Sequence, residues 1–168
     1  MRLIVLSPLL LLAGCGFPAA SVELAAAQPV FVPTTFFAGD TEGHARLTVL
    51  FHGSRPVHVI GHGRVDPDGT LVLDQLVTGA GKHPEQREWR IHETKPGHYA
   101  GTLSDAKGPI AGDVHGNCLH LRFEMKDGMA AQQWIYLQPG GQTALNRMTI
   151  SKWGIQVAQL DETIDRAR

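Results

Sequence analysis

The stretch that decides the fold is QREWRIHETKPGHYAGTLS, residues 86–104. In its first half, Trp89 and Ile91 alternate with polar or charged residues, which is the period of two expected for a half-buried β-strand. Lys95-Pro96-Gly97 follows as a turn, because proline fixes its φ angle and glycine accepts a positive one. Residues 98–104 then repeat the alternation. The stretch therefore predicts an antiparallel β-hairpin.

The same pattern continues from His44 to the end of the chain, with turn signals about every ten residues. Asp66-Pro67-Asp68-Gly69 and Lys126-Asp127-Gly128 are such turns. Strands joined by hairpin-length loops are antiparallel, since parallel strands need long crossover connections. We therefore predict an all-β domain, a single antiparallel β-barrel of about nine strands whose closure removes edge strands. Residues 156–167 also fit a short C-terminal helix, and that alternative stays open.

The N-terminus has a different character. An apolar block, Leu3 to Leu12, follows Arg2 and ends at Ala13-Gly14-Cys15. Such a block is too short for a transmembrane helix and is typical of a secretory signal. The cysteine after Ala-Gly predicts bacterial lipoprotein processing, with residues 1–14 as signal peptide and Cys15 as the lipidated first residue.

The region after the cysteine is predicted to be a tether. Residues 16–27 are mostly small and Pro29 and Pro33 follow, so we assign residues 15–34 to the lipidated cysteine and tether and residues 35–168 to the barrel. Several acyl chains anchor a protein stably where one would be marginal. Gly16 stands where an aspartate would favour the inner membrane, so we expect an outer-membrane lipoprotein facing the periplasm.

Composition restricts the class of partner. The formal net charge of −1 over 168 residues gives no reason to expect nucleic acid as a partner. Once Cys15 is lipidated, Cys118 stands alone, so no intramolecular disulfide can form. We interpret Cys118 as a small buried hydrophobe, with a reactive thiol as the alternative.

The order of motifs resembles the DUF3833 family of proteobacterial lipoproteins, from about residue 30 to the C-terminus. The matching motifs are Phe36-Phe37-Ala38-Gly39, Gly43, Gly61, Gly63, Arg87 to Ile91, Tyr99-Ala100-Gly101, Ser104-Asp105, Gly108, Gly112, Gly116-Asn117, Trp134 to Leu137, Asn146-Arg147 and Ser151 to Gly154. This chain has Gln133 where the family usually has an acidic residue, and Ala106 where it has valine. The resemblance implies a barrel similar in outline to the lipocalin-like calycins, without the Gly-x-Trp signature of true lipocalins, and implies no activity.

Six residues are candidates for ligand binding. Arg87 and Trp89 lie two apart on a strand and share a face, so the guanidinium can stack on the indole and still donate to a carboxylate or phosphate. The candidate set is Arg87, Trp89, Tyr99, Trp134, Asn146 and Lys152. These residues would hold the polar end of an amphipathic ligand in a cavity or its mouth. Alternatively, Arg87 closes one barrel end and Trp89 is core.

The sequence contains no recognisable metal or catalytic motif, so we expect no metal, no cofactor and no enzyme activity. His58 and His62 would share a face but lie about 13 Å apart along a straight strand. Ser104-Asp105 with a histidine, or Asp105 paired with Asp113, could be arranged on paper into a catalytic group. An aspartate before a glycine-rich loop is, however, more often a turn residue.

The function expected from these observations is non-catalytic binding of a small apolar or amphipathic molecule, a fatty acid or lipid, in the barrel of a membrane-anchored envelope lipoprotein. A barrel packed solid by Trp89, Trp134 and Trp153 would contradict it. The alternative is a structural or assembly factor that docks an envelope protein through an exposed apolar patch. The third interpretation is an enzyme acting on a lipid-like substrate, which requires two convergent titratable groups in a cavity.

Overall fold

The computed structural model describes residues 26–79 and 81–167, and within them the chain forms one short helix and ten strands. The elements are α1 Pro33–Phe36, β1 Gly39–Val49, β2 Gly53–Val65, β3 Leu71–Gly79, β4 Lys82–Lys95, β5 His98–Leu103, β6 Ile110–His115, β7 Cys118–Glu124, β8 Ala130–Leu137, β9 Thr143–Lys152 and β10 Ile155–Arg166. The predicted hairpin is present as β4 and β5, in which Trp89 pairs with Leu103.

The ten strands form a closed, fully antiparallel up-and-down barrel. Each strand pairs with the next along the chain, and β1 pairs with β10 from Thr41↔Arg166 to Val49↔Ala158. The predicted all-β barrel is confirmed, with ten strands instead of nine. The alternative of a C-terminal helix is wrong: residues 155–166 are β10, because Ala158, Leu160 and Ile164 face inward with the period of a strand.

The two ends of the barrel differ. The turns after β2, β4, β6 and β8 lie at the same end as α1, which we call the plugged end. Three phenylalanines fill it: Phe31 is 1 % exposed, and the rings of Phe36 and Phe37 meet edge to face at 4.9 Å. The turns after β1, β3, β5, β7 and β9 surround the opposite end, which we call the mouth.

Residues within the predicted tether contribute to this plug. The Phe31 amide donates to the Gly116 carbonyl at 2.8 Å, and the Ala26 amide donates to Oδ1 of Asn117 at 2.6 Å. Side chains that fill the barrel end cannot serve as a loose spacer. The barrel domain therefore begins before residue 35, and residues 26–34 belong to it. The predicted signal peptide, residues 1–14, and the predicted lipidation site Cys15 lie outside the described residues.

The interpretation of Cys118 can be compared with the structure. Cys118 is buried at the start of β7, and burial raises the pKa of its thiol, which fits a small buried hydrophobe. Among the described residues no helix is long and apolar enough to cross a membrane.

Candidate functional site: the barrel interior

The barrel encloses a cavity with two chambers. The inner chamber, of about 80 Å³, reaches from Phe37 at the plug to the middle of the barrel. The outer chamber, of about 290 Å³, continues toward the mouth. Arg87, Met148 and Leu160 border both chambers, so the two chambers adjoin. The tryptophans do not fill the interior, because Trp153 lies in a mouth turn and is 89 % exposed.

Arg87 marks the boundary between the chambers. It lies on β4 in the same inward phase as Trp89 and Ile91, both of which are buried. Its Nε lies 2.8 Å from Oδ2 of Asp105, and its Nη2 donates to Oε2 of Glu85 at 3.4 Å. The Nε–H does not point at the Asp105 oxygen, so this contact is an ion pair without a directed hydrogen bond. Arg87 therefore keeps a donor inside the barrel.

Trp89 forms one wall of the inner chamber. The indole is 7 % exposed, meets Phe123 edge to face at 5.5 Å, and donates from Nε1 to Oε1 of Gln75 at 2.8 Å. A buried indole N–H requires such a partner. The hydrogen bond fixes the ring plane, so the wall is rigid.

Asn146 and Glu162 form the polar group on the opposite wall. Nδ2 of Asn146 donates to Oε2 of Glu162 at 2.7 Å. Glu162 has room because Gly43 faces it: a Cβ at Gly43 would lie 2.1 Å from Oε1 of Glu162. Burial inside the barrel raises the pKa of Glu162, and the Asn146 hydrogen bond and the charge of Arg87 oppose this only in part. The carboxyl group is therefore biased toward its neutral form.

Three buried polar atoms in this region have no hydrogen-bond partner. Among the described residues, these atoms are Nε of Arg87, Oε1 of Gln133 and Oδ1 of Asn146. All three side chains border the inner chamber. Buried polar atoms without partners are uncommon, because each costs about 1–3 kcal/mol of desolvation. Their convergence on one cavity makes the inner chamber the candidate functional site.

The structure brings three of the six predicted binding residues together. Arg87, Trp89 and Asn146 border the inner chamber, as the strand phase of Arg87 and Trp89 predicts.

The other three residues are not in the cavity, and this corrects the predicted site. Trp134 lies on the outer face of β8 and stacks on His120 at 4.7 Å, because its neighbours Gln133 and Ile135 take the inward phase. Tyr99 lies at the plugged end beside Val32 and Thr34, and burial together with Glu93 raises the pKa of its hydroxyl. Lys152 is exposed in the last pair of β9, at the mouth.

Sequence reasoning missed Gln75, Gln133 and Glu162. The signal for Glu162 was present, since it occupies the inward phase of β10 between Leu160 and Ile164. Because residues 156–167 also fit a helix, the inward orientation of Glu162 could not be predicted. Gln133 was noted only as a departure from the family pattern.

Ser104 Oγ donates to Asp105 Oδ1 at 3.3 Å, whereas Asp105 and Asp113 do not form a pair of an acid and a base. Asp105 is the inner partner of Arg87. Asp113 lies on the outer face, where Arg122 and His98 bond to its two oxygens and lower its pKa, Arg122 having the larger effect. An acid and a base on opposite sides of the barrel wall cannot act on one substrate.

Within residues 26–79 and 81–167, one group of potential metal ligands is found, on the outer face of β1 and β2. Glu42, His44 and His58 place one ligand atom each within 4.8 Å of the others. His44 and His58 are directly opposite in the register, and their rings stack at 4.9 Å. His58 Nε2 already lies 2.7 Å from Oε1 of Glu42, so a hydrogen-bonded pair accounts for the geometry. His62, judged from the sequence to lie too far from His58 to share a metal, lies instead beside Asp40, with its Nδ1 2.6 Å from Oδ1.

Solved structures with the same architecture are known. The S-type phycobiliprotein lyase CPES from Guillardia theta superposes with a TM-score of 0.64 at 9 % identity, over 80 % of this chain and 90 % of the lyase. A protein of unknown function from the DUF3598 family of Nostoc punctiforme superposes with a TM-score of 0.57 at 10 % identity, over 89 % of this chain and 53 % of that protein. These similarities establish the barrel fold.

A search of curated protein sequences gives no match. The sequence profile of DUF3833, a family of proteins of unknown function, matches residues 9–166, and the chain therefore belongs to the DUF3833 family.

Proposed function

We propose that the barrel binds one small amphipathic molecule, with its apolar body in the outer chamber and an uncharged hydrogen-bonding end at Arg87, Gln133 and Asn146. The observation that carries the proposal is the convergence of three buried polar atoms without hydrogen-bond partners on one cavity whose other walls are mostly apolar. Apolar pockets with a few convergent polar groups are the usual form of small-molecule sites.

The charges of the cavity favour a neutral ligand end. Arg87 is already compensated by Asp105 at 2.8 Å, and Glu162 is the further acidic group on the opposite wall. A carboxylate entering here would meet a cation that Asp105 already compensates, and no further lysine or arginine borders the inner chamber among the described residues. The unpartnered atoms are one donor and two acceptors, so a hydroxyl group, which both donates and accepts, complements them.

The size of the cavity restricts the ligand further. An outer chamber of about 290 Å³ holds on the order of ten water-sized groups, at about 30 Å³ each. A medium-chain alcohol fits these dimensions, and a larger lipid would leave part of its chain outside the mouth.

The experiment is calorimetric titration of the full chain with 1-decanol and with decanoate. The test variant is Gln133→Met, which removes an inward acceptor. The matched control is Gln132→Met, since Gln132 is the exposed neighbour on the outer face of the same strand. We expect saturable 1:1 binding of decanol, weaker binding of decanoate, and a loss of about 1 kcal/mol, roughly fivefold in affinity, in Gln133→Met only.

The stability of the Gln133→Met variant shows whether Gln133 acts in binding or in maintaining the fold. Gln133→Met removes an unsatisfied acceptor, so the variant should unfold at the same or a higher urea concentration than the wild type while binding decanol less well. Equal affinities for the two glutamine variants, or no saturable binding of either probe, would contradict the proposal. Tighter binding of decanoate would show that the ligand end is charged.

We also propose that the chain is anchored in the outer membrane, facing the periplasm, through acyl groups on Cys15. The Leu12-Ala13-Gly14-Cys15 motif supports this. Metabolic labelling with an alkyne-tagged fatty acid should label the wild type, and Cys15→Ser should lose the label and accumulate unprocessed chain. Labelling that persists in Cys15→Ser would contradict the anchor.

A further inference from the structure

Two neighbouring hairpins at the mouth expose large apolar side chains. Phe51, in the turn after β1, is 95 % exposed, and Trp153, in the turn after β9, is 89 % exposed. The turns are adjacent because β1 pairs with β10, and the Leu50 amide donates to the Val157 carbonyl at 2.9 Å. Ile155 beside them is 62 % exposed. We call Phe51, Trp153 and Ile155 the mouth patch.

Turn geometry does not explain the choice of these residues. Phe51 has φ = 63° and Trp153 has φ = 52°, and Phe51 and Trp153 are the only non-glycine residues with positive φ among those described. Trp153-Gly154 is a two-residue turn with both φ angles positive, for which Asn-Gly is the preferred pair. A bulky side chain in this region is unfavourable for the folded chain. Both positions therefore hold an exposed aromatic against the local conformational preference.

The charged residues of the two hairpins that carry the mouth patch have one sign. Residues 47–57 and 148–158 contain Arg55 and Lys152 and no aspartate or glutamate. Nζ of Lys152 lies 5.0 Å from the centre of the Trp153 ring. The combination of exposed tryptophan, phenylalanine and lysine is typical of surfaces that lie at a membrane interface, where anionic headgroups attract the cations.

The mouth patch is also continuous with the cavity. Val49 and Val157, at the bases of the two hairpins, border the outer chamber. A bilayer in contact with the hairpin tips would thus stand directly over the opening. Apolar molecules could then pass between the acyl chains and the cavity with little exposure to water.

We propose that the mouth docks on an anionic phospholipid surface, with Phe51 and Trp153 inserted at the level of the headgroups and Lys152 and Arg55 against the phosphates. This docking does not require the interior ligand to be the one proposed above. The two proposals fail separately, since Gln133→Met leaves the mouth patch unchanged.

The test is quenching of tryptophan fluorescence in the full chain by vesicles of phosphatidylcholine and phosphatidylglycerol at 7:3, with and without bromine on the acyl chains. The readout reports insertion of the mouth itself, and so does not depend on how the N-terminus associates with the vesicle. The variants Trp153→Phe and Trp134→Phe form a matched pair, because Trp134 lies on the outer wall against His120. We expect bromine quenching in the wild type and Trp134→Phe, and its loss in Trp153→Phe.

A second variant removes the patch and keeps the reporter. Phe51→Asn suits the positive φ angle, so it should fold at least as well as the wild type while weakening the mouth's association with vesicles roughly tenfold. Vesicles of phosphatidylcholine alone, and Lys152→Glu, should each reduce the quenching of Trp153. Absence of bromine quenching in the wild type would overturn the proposal, and so would equal quenching in Trp153→Phe. In either case a protein would be the remaining candidate partner of the mouth patch.

Discussion

Replacement of Glu162 by glutamine tests whether the interior is a low-dielectric site. Glu162 is held between Asn146 and the space left by Gly43, and burial is the largest influence on its pKa. Glutamine has nearly the same shape, and its carbonyl oxygen can accept the Asn146 hydrogen bond. The substitution therefore removes a charge and changes little else.

The expected effect is a gain in stability at neutral pH. An ionised carboxylate in the interior costs several kcal/mol, which the amide of Asn146 and the charge of Arg87 offset only in part. Replacing a charge-assisted hydrogen bond by a neutral one loses about 1 kcal/mol. We expect Glu162→Gln to raise the free energy of unfolding at pH 7.5 by about 1–2 kcal/mol, which is roughly 2–8 °C in the melting temperature.

The pH dependence of stability tests independently whether Glu162→Gln stabilises or destabilises the fold. The folded-state pKa of Glu162 is raised above its unfolded value near 4.5. Protonation of Glu162 therefore stabilises the fold fully below pH 4.5, and this contribution is lost as the pH rises through the folded pKa. The difference in melting temperature between Glu162→Gln and the wild type should be small near pH 4.5 and should grow toward pH 8.

The assay is thermal unfolding by circular dichroism from pH 4.5 to 8. The control is Glu88→Gln on the exposed face of β4, which should change the unfolding free energy by less than about 0.5 kcal/mol. A Glu162→Gln variant that is less stable than the wild type at pH 7.5 would refute the reasoning. That result would mean that the carboxylate is stabilised by its partners more than it is disfavoured by burial.

Three further substitutions test the fold around the site. Gly101→Ala places a Cβ 1.8 Å from the carbonyl oxygen of Arg90 on the paired strand, and should lower the free energy of unfolding in urea by at least about 3 kcal/mol. The control Gly108→Ala, whose Cβ meets nothing within 4 Å, should have little effect. Phe31→Ala should cost about 3–5 kcal/mol in the same urea assay, because it leaves a cavity in the plug. Asn117→Ala removes hydrogen bonds of 2.6 and 3.0 Å and should speed hydrogen exchange of the Ala26 amide while β7 stays protected.

The fold could be predicted from the sequence because the barrel is built from local signals. Each hairpin carries its own alternation and turn residues, as residues 86–104 show, and antiparallel neighbours follow from short loops. Closure between β1 and β10 joins segments more than a hundred residues apart, and no local pattern specifies it. The plug escaped prediction for a similar reason, since Phe31 is recognisable as core only once the barrel end that it fills is known.

The site could be predicted only as far as strand phase was known. Arg87 and Trp89 were placed together correctly because two residues separated by one lie on the same face. Trp134 was predicted to face the cavity, but its neighbour Gln133 does so instead. Successive residues of a strand face opposite sides of the barrel wall, so an error of one residue changes a side chain from inside to outside. Predicting that Glu162 faces the cavity required knowing whether residues 156–167 form a strand or a helix. A single charged residue among apolar ones fits the residue spacing of either structure.

The plug and the mouth together restrict how a ligand can reach the interior. Phe37 borders the inner chamber and packs edge to face on Phe36, so entry past these two residues at the plugged end would displace buried aromatic rings. The mouth is the other end of the barrel, where the outer chamber is bordered by the hairpins that carry Phe51 and Trp153. A carrier that collects its ligand from water needs no exposed aromatic residues at its entrance, and these cost solubility. Phe51 and Trp153 lie at the one entrance that the described residues leave open. This position is accounted for if the ligand is taken from, or returned to, a lipid surface.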